Sequence, residues 1–392
     1  MRSRVPAKAV LAVAAAAGTL ALAIFATTSD SVVPRAAAQS TGPRPELPAS
    51  PAATDVVAAG EAFLATLSDE QRAIAQVELK PELAVRWTNF PGGSERRNGV
   101  FFRDLKPEQV EAALKVARAA LGEEGFARYQ EVRAADDAFA KGNDGRGPGG
   151  PDMKKGGPDM KKAGGFPKKG GGFPKKGFGG GGGMNFGSGY YMIAFLGKPS
   201  ATTPWLLQLG GHHLAINLYY KGTAGVATPY HVASQPTVWK DDQGKTHEPL
   251  APMHTALHGL LLSLTPEQLK QAKLDDVFDD VYVGPGRDGQ FPVKSEGVAV
   301  AGLSDASKTL VKQAIAAWTG DTPQGAEYRK IYEAQLDQVK VAYSGRTDLS
   351  DRGDYVRIDG PRVWIEFATQ GGDHVHTIWR DRLTDYGAEF SF

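Results

Sequence analysis

Cysteine is absent from all 392 residues of the chain. This absence excludes thiolate metal sites, thiol nucleophiles and disulfide cross-links. Stability must therefore come from an ordinary hydrophobic core, which a globular portion of about 300 residues is long enough to bury. The sequence also lacks a Gly-x-Ser-x-Gly motif and a phosphate-binding loop, so two widespread enzyme motifs are missing.

The chain has almost no net charge. Its 45 lysine and arginine residues balance 44 aspartate and glutamate residues, which gives +1 at pH 7. A chain with this balance has no overall electrostatic reason to bind nucleic acid. Beyond the amino terminus, no uncharged apolar stretch approaches the roughly 17 to 25 residues that span a bilayer. The sequence therefore predicts no internal transmembrane segment.

The amino-terminal segment has the features of an export signal in the usual order. A basic start within residues 1–8 precedes an apolar run over residues 9–26 and a small-residue site at Ala36-Ala37-Ala38. The run is rich in alanine and lies near the lower length limit for spanning a bilayer, which favours cleavage over retention. We predict that residues 1–38 are a signal peptide or an N-terminal anchor. The working protein is then extracytoplasmic, either periplasmic or secreted.

Two segments are predicted to be disordered. Residues 39–59 are rich in Pro, Ala, Ser and Thr and are interpreted as a tether. Residues 142–189 form a low-complexity insertion, and their high glycine content makes an ordered backbone entropically costly. The insertion carries four lysine doublets, so weak contact with an anionic surface and a solvated segment without a partner are both open interpretations. The rest of residues 60–392 is predicted to be a single globular domain.

The apolar pattern predicts an α+β fold, with N-terminal helices packed on a mostly antiparallel sheet. Helical spacing extends from Pro107 to Phe139 and is interrupted near Gly122 and Gly125. Alternating patterns and a Gly210-Gly211 turn signal mark the later region. They predict strands over residues 191–196, 205–209, 212–220, 355–358, 362–368 and 374–380.

All eight histidines fall between His212 and His376. The sharpest pattern among them is Asp373-His374-Val375-His376. Side chains two apart on a strand share a face, so His374 and His376 can converge on one ion at roughly 2.0–2.1 Å. A hydrogen-bonded role at a sheet edge is the alternative for this pair.

We expect different roles for two other histidine pairs. On a strand beginning at His212, that residue shares the apolar face, while His213 shares the polar face with Asn217. We therefore expect His213 and Asn217 to be functional and His212 to be buried and hydrogen-bonded. His254 and His258 stand four apart in a helical stretch, but no glutamate follows His254, so the zinc-protease motif is absent. A structural role is the interpretation for that pair.

Glu366 is the candidate carboxylate ligand or general base. Strand alternation places it on the face opposite the apolar residues of its strand. A two-residue turn at Gly371-Gly372 sets Phe367 opposite His376, whereas a three-residue loop sets Glu366 opposite His376. The sequence leaves both registers open. An ion pair across the hairpin is the alternative role for Glu366.

Several unusual short sequence motifs occur in a fixed order between Trp87 and the carboxyl terminus. They are Trp87-Thr88-Asn89-Phe90-Pro91, Arg97-Asn98-Gly99, Leu105-Lys106-Pro107-Glu108-Gln109, Gly211-His212-His213-Leu214, Gly360-Pro361, Ile365-Glu366-Phe367, His374-Val375-His376, Arg380 and Asp385-Tyr386-Gly387. In these motifs the chain resembles the bacterial family called domain of unknown function 3500. The resemblance implies one domain and no particular reaction. It also implies that the signature positions are His212, His213, Glu366, His374, His376, Arg380, Asp385 and Tyr386.

The leading hypothesis is a histidine and carboxylate metal site. His213, His374 and His376 are the candidate ligands, with Glu366 as a further ligand or base. Ligands of this type without sulfur suit one divalent transition metal ion, zinc first, with copper, iron or manganese as alternatives. An open coordination position would support metal-assisted hydrolysis of a small-molecule or polymer substrate. Arg380 would then orient an anionic substrate group.

Two rival hypotheses need no metal. In the first, the protein is a non-catalytic extracytoplasmic binding or surface-associated module, and the histidines stabilise the C-terminal sheet by hydrogen bonds. In the second, it is a cofactor-free hydrolase with a histidine as general base. Turnover with and without a chelator separates the three hypotheses.

Overall fold

The computed structural model describes residues 45–91, 96–143 and 186–392. The predicted export segment and residues 144–185 of the predicted insertion lie outside these ranges. A helix begins at Ala53, so the prediction of a tether over residues 39–59 is wrong for residues 53–59. Within the three ranges, no helix has both the length and the apolar character needed to cross a bilayer.

Helices and strands fall mostly into separate stretches of the chain, as is typical of an α+β fold. The helices are α1 (Ala53–Ala65), α2 (Asp69–Ala75), α3 (Pro81–Ala84), α4 (Pro107–Asn143), α5 (Ala251–Leu262), α6 (Pro266–Ala272), α7 (Asp305–Thr319) and α8 (Gly325–Glu333). The strands are β1 (Gln76–Val77), β2 (Val100–Phe101), β3 (Met192–Leu196), β4 (Trp205–Gly211), β5 (Leu214–Lys221), β6 (Ala224–Val226), β7 (Tyr230–Ser234), β8 (Trp239–Lys240), β9 (Thr246–His247), β10 (Val298–Ala299), β11 (Lys340–Ser344), β12 (Tyr355–Asp359), β13 (Val363–Gly371) and β14 (His374–Asp381). The interruption predicted near Gly122 is a kink in α4, where that glycine has φ of 68°.

Helix starts follow local sequence signals. Ser68 accepts a hydrogen bond from the backbone of Gln71, whose side chain reaches back to Ser68. Thr265 and Gln268 form the same reciprocal capping box at α6. Each box satisfies amide groups that the first helical turn leaves without partners, which is typically worth about 1 kcal/mol.

Most strands belong to one sheet. The order along it is β1-β3-β4-β5-β7-β14-β13-β12-β11-β10, with β2 also on β3 and β6 also on β5. Apart from the parallel pairing of β1 with β3, the ladders in this order are antiparallel. The predicted α+β fold with a mostly antiparallel sheet is confirmed.

One face of the central strands is apolar and packs against helices. The register aligns Ile216, Tyr230, Trp379 and Ile365 across four strands, and cross-strand partners share a face. These side chains are buried, and burial of each large apolar side chain contributes roughly 1.5–3 kcal/mol. The indole of Trp379 donates a hydrogen bond to the hydroxyl of Tyr332 in α8, 3.1 Å away. This face forms the hydrophobic core.

The opposite face of the same strands is polar although it is buried. The next row across the sheet aligns Ala215, His231, Ile378, Glu366 and Arg357. Irregular segments within residues 87–91, 96–98 and 279–292 cover this face through hydrogen bonds to it. The buried polar residues of the face include Gln208, Asn217, His231, Arg357, Glu366, His376 and Arg380. The candidate site lies at one end of this face.

The hairpin between β4 and β5 turns two residues later than predicted. Gly211 pairs with Leu214, so the turn consists of His212 and His213 rather than Gly210-Gly211. Strand β5 therefore begins at Leu214, and the predicted strand over residues 212–220 is wrong at its start. The glycines serve close packing instead, because a Cβ atom on Gly211 would lie 2.6 Å from the ring of Tyr191.

We expect Gly211→Ala to lower the free energy of unfolding by roughly 1–3 kcal/mol, as overpacking does in a tight interior. The ring of Tyr191 cannot retreat freely, since its hydroxyl donates a hydrogen bond to the carbonyl of His212 at 2.7 Å. Gly302→Ala is the matched control, because a Cβ atom there meets nothing within 4 Å. Urea denaturation of both variants checks the prediction. Equal stabilities would contradict it.

Candidate metal centre

Three imidazoles from distant parts of the chain meet at the end of the polar face. His213 comes from the β4–β5 turn, and His374 and His376 come from β14. The Nε2 atom of His374 lies 2.9 Å from Nε2 of His213 and 2.9 Å from Nε2 of His376. These three residues, predicted from sequence as metal ligands, are thus brought together with one ring nitrogen each within 4.8 Å of the others.

The backbone of His213 is held in an unusual conformation. Its φ is 63°, a left-handed value that few residues other than glycine adopt. Its amide donates a hydrogen bond to the carbonyl of Asn89 at 2.9 Å, and its carbonyl accepts one from the amide of Ala233 at 2.8 Å. The left-handed residue directs the polypeptide so that the imidazole faces β14.

Hydrogen bonds within the cluster cannot satisfy all three rings. Nδ1 of His376 lies 2.8 Å from the Asp280 carboxylate, so a neutral His376 ring carries its single proton there and presents a lone pair at Nε2. Nε2 of His374 then either donates to His376 or accepts from His213, and a neutral nitrogen cannot do both. Only one of the two 2.9 Å contacts is a hydrogen bond. A cation would satisfy all three nitrogens.

Electrostatics keep His213 and His374 neutral. Burial lowers the pKa of His213 well below its usual range, and repulsion from the neighbouring histidines lowers it further. Burial, followed by the charge of His376, lowers the pKa of His374 to about 3. Neutral imidazole is the form that binds a metal ion. The rings of His213 and His374 are therefore ready to coordinate at neutral pH.

Two carboxylates support the cluster from outside. Asp280 faces His376, and although burial raises the pKa of Asp280, the hydrogen bond and charge of His376 outweigh this and lower it. Asp136 lies 2.5 Å from Nδ1 of His212. The ring of His212 is tilted by 31° against that of His213, with centroids 3.6 Å apart. Carboxylates at Nδ1 fix the tautomer of a metal-binding histidine. Asp136, His212 and His213 also form a second set of potential ligands.

The surroundings of His212 are aromatic and lie beside the predicted insertion. Its ring centroid is 4.9 Å from that of Phe186 and 6.3 Å from that of Phe139. The same Asp136 carboxylate accepts a hydrogen bond from the amide of Gly187 at 2.8 Å. His212 is buried and hydrogen-bonded, as expected from sequence. Phe186 and Gly187, which the sequence assigns to the disordered insertion, have defined partners here.

Glu366 is not among the residues that meet at the cluster. Its cross-strand partner on β14 is Ile378, while His376 faces Ala368. Both registers proposed from sequence are wrong, because Gly371 pairs with His374, which places the turn at Gly372-Asp373, and because β13 has an irregularity between Thr369 and Gly371. The carboxylate of Glu366 belongs to a separate hydrogen-bond network.

Arg380 is fully buried and serves a structural cluster. Its guanidinium donates to Asp288 at 2.8 Å and to Asp385 at 3.2 Å. The hydroxyl of Tyr386 also donates to Asp288, at 2.7 Å, and accepts from the indole of Trp87 at 2.5 Å. Burial raises the pKa of Asp385 to about 7 against the opposing charge of Arg380. Arg380 has 0% exposure, so this geometry does not support its predicted role in orienting a substrate.

Asn217, His254 and His231 lie outside the three-histidine cluster. Asn217 donates to the carbonyl of Pro229 at 3.0 Å and is not part of the cluster. His254 contacts the carbonyl of Asp348 at 3.2 Å, in line with a structural role. His231 was not singled out from sequence. It is fully buried with its ring centroid 5.5 Å from that of His376, and burial lowers its pKa to about 3.

The cluster is accessible from one side. His213 and His376 are buried, whereas His374 is only partly buried. The adjoining Asp373 is exposed, and Phe90, next to Asn89, is 45% exposed. A molecule from solvent therefore reaches the cluster at His374.

The fold and the cluster together define an α+β protein with a three-histidine centre on the polar face of its sheet. The family model described as "Protein of unknown function (DUF3500)" matches residues 49–388. Because this match covers most of the chain, the protein belongs to that family, and the recognition made from sequence is confirmed. No curated protein and no solved structure matches the chain.

Proposed function

We propose that the protein is an exported metalloprotein that holds one divalent transition metal ion between His213, His374 and His376. The observation that carries this proposal is the pair of 2.9 Å contacts between Nε2 atoms. Three neutral nitrogens at this separation cannot all be satisfied by hydrogen bonds to one another. Coordination to a single cation uses all three lone pairs.

Zinc is the ion that these ligands suit best. Histidine nitrogens bind zinc at roughly 2.0–2.1 Å, and a tetrahedral ion then separates its ligands by roughly 3.3 Å. The contacts of 2.9 Å are a few tenths of an ångström shorter, a difference that small ring rotations remove. Copper, iron and manganese are the alternatives for a site with nitrogen ligands and no sulfur.

Three protein ligands on a zinc ion leave a fourth position for water. The partly buried side of the cluster, at His374, is where this position meets solvent. A bound ion lowers the pKa of such a water towards neutrality and generates a nucleophile, so we propose metal-assisted hydrolysis. Asp280 holds the ring of His376 from behind at 2.8 Å. It supports the ligand and takes no direct part in attacking a substrate.

The proposed location outside the cytoplasm rests on the amino-terminal sequence. A basic start, an apolar run and a small-residue cleavage site follow one another in residues 1–38. A metal centre built from histidines alone is compatible with an oxidising compartment, since it has no thiolate to lose. Export and a cysteine-free centre therefore fit each other.

A non-catalytic binding module is the second candidate, and one observation favours it. Glu366, Arg380 and Asp385 occupy signature positions of the family resemblance, yet all three are engaged in buried hydrogen-bond networks. No general acid or base among them faces the cluster. In this alternative the ion, or the histidines alone, stabilise the sheet.

Metal content and turnover measured on one preparation test the proposal. We expect one zinc ion per chain after chelator treatment and reconstitution, and hydrolysis of at least one substrate from an ester, phosphoester and peptide panel that stops when chelator is added. Absence of metal before and after reconstitution would contradict the metal centre. Metal binding without turnover would support the binding module, and chelator-resistant turnover the metal-free hydrolase.

A further inference from the structure

A buried carboxylate holds the segment that presents Asp280 to the metal centre. Glu366 has 0% exposure and accepts hydrogen bonds from the amides of Tyr282 and Val283, the latter at 2.8 Å. Two residues before Tyr282, Asp280 contacts Nδ1 of His376 at 2.8 Å. The segment is therefore fixed at one end by Glu366 and contacts the cluster at the other.

The carboxylate of Glu366 is itself held in place. The hydroxyl of Tyr355 donates to it at 2.9 Å, and the indole of Trp364 donates at 2.5 Å. Burial raises the pKa of Glu366, and these four hydrogen bonds oppose that rise. A buried carboxylate is costly unless its acceptor positions are used. Its partners here are two amides, a hydroxyl and an indole, so its role is to fix backbone rather than to balance a cation.

Asp280 depends on this arrangement for its orientation. The amide of Val281 donates to the Asp280 carboxylate at 2.7 Å, so the side chain is tied to the backbone of the segment. A displacement of Tyr282 and Val283 therefore moves Asp280 with them. Nδ1 of His376 would then lose the partner that keeps its proton on that nitrogen.

We propose that Glu366 is a positioning residue that sets the tautomer of His376 through Asp280 and thereby the affinity of the centre for its ion. The last step rests on the proposed function, but the effect on the tautomer does not. Glu366 touches neither a ligand nor the ion. Its influence passes through the backbone of residues 280–283.

Glu366→Gln tests the first step in metal-free protein. Glutamine offers one acceptor and one donor group, so it opposes at least one of the amides of Tyr282 and Val283. We expect the proton of His376 to redistribute from Nδ1 towards Nε2, as read from ¹⁵N chemical shifts and two-bond couplings of ¹⁵N-histidine protein. Glu296→Gln is the matched control, because that carboxylate contacts Arg357 at 3.4 Å rather than the segment.

A double-mutant cycle tests the second step. Zinc affinity, measured by competition with a chelating dye, should fall about 10–100-fold in Glu366→Gln, as when an outer partner of a ligand is lost. Asp280→Ala should produce a similar loss. The double variant should bind no more weakly than Asp280→Ala alone, because both changes act on the same contact.

The outcomes separate this inference from the metal proposal. An unchanged His376 tautomer in Glu366→Gln, or additive losses of zinc affinity, would overturn the positioning role. Absence of zinc binding in the unaltered protein would overturn the metal centre, while the tautomer measurement would still decide the role of Glu366. If Glu366→Gln fails to fold, Tyr355→Phe removes one of the four hydrogen bonds and should shift the tautomer in the same direction by less.

Discussion

Zinc binding is expected to be lost from His374→Ala, with affinity reduced by more than about 100-fold, beyond the range seen when only an outer partner of a ligand is removed. Nε2 of His374 is the atom that contacts both other rings at 2.9 Å. Without it, two nitrogens remain and cannot form the three-ligand site. Elemental analysis and dye competition on the purified variant measure the effect.

The choice of His374 keeps the test free of folding artefacts. Its side chain is only partly buried, so alanine leaves a small defect at the surface of the cluster rather than a cavity in the core. His258→Ala is the matched control, because His258 lies on α5 with its ring beside that of His254, 5.8 Å between centroids. Zinc affinity that falls equally in both variants, or in neither, would contradict a centre at His213, His374 and His376.

The largest loss of stability is expected from Arg380→Met. Arg380 has 0% exposure and lies between Asp288 and Asp385. Methionine would leave two carboxylates without their cation inside the protein, and breaking a buried ion pair from one side costs about 3–5 kcal/mol. Guanidinium denaturation followed by circular dichroism measures the change in the free energy of unfolding.

Arg346→Met is the control for this prediction. Arg346 also contacts two carboxylates, Asp348 at 2.6 Å and Asp351 at 2.8 Å, but its side chain is 59% exposed. Solvent screens such pairs, so the expected loss is small compared with that of Arg380→Met. Failure of Arg380→Met to accumulate as folded protein, with normal Arg346→Met, would agree with the prediction. Similar stabilities of the two variants would show that Arg380 is not a structural residue.

The sequence predicted that His213, His374 and His376 lie close together, and the reason for this is partly local. His374 and His376 share a face of β14 because alternate residues of any strand do. His213 reaches the same place by another route than predicted, from a turn rather than from the polar face of a strand. The glycines suggested a turn at Gly210-Gly211, but the close approach of Tyr191 uses Gly211 for packing. Glycine occurs both in turns and where close packing leaves no room for a side chain, so the sequence alone does not distinguish the two roles.

The sequence could not predict the surroundings of Glu366, because they depend on the register between β13 and β14. One extra residue between Thr369 and Gly371 shifts the pairing of β13 with β14, and the sequence contains no sign of it. Asp136 and Asp280 were missed for a related reason. Each lies in a helix or irregular segment that reaches the cluster only through tertiary packing, so no spacing rule connects it with a histidine. The fold class and the family were predicted correctly, whereas the metal itself stays a prediction.

The position of the three histidines has a consequence for folding. His213 and His374 are 161 residues apart in sequence, and between them β5 pairs with β7 and β7 with β14. An ion held by both would be a cross-link that closes the middle of the sheet, and the unfolded chain offers no equivalent site. At a free concentration 100-fold above Kd, such an ion adds about 2.7 kcal/mol to the free energy of unfolding. Removal of the ion would therefore weaken the pairing of β5, β7 and β14 in the middle of the sheet.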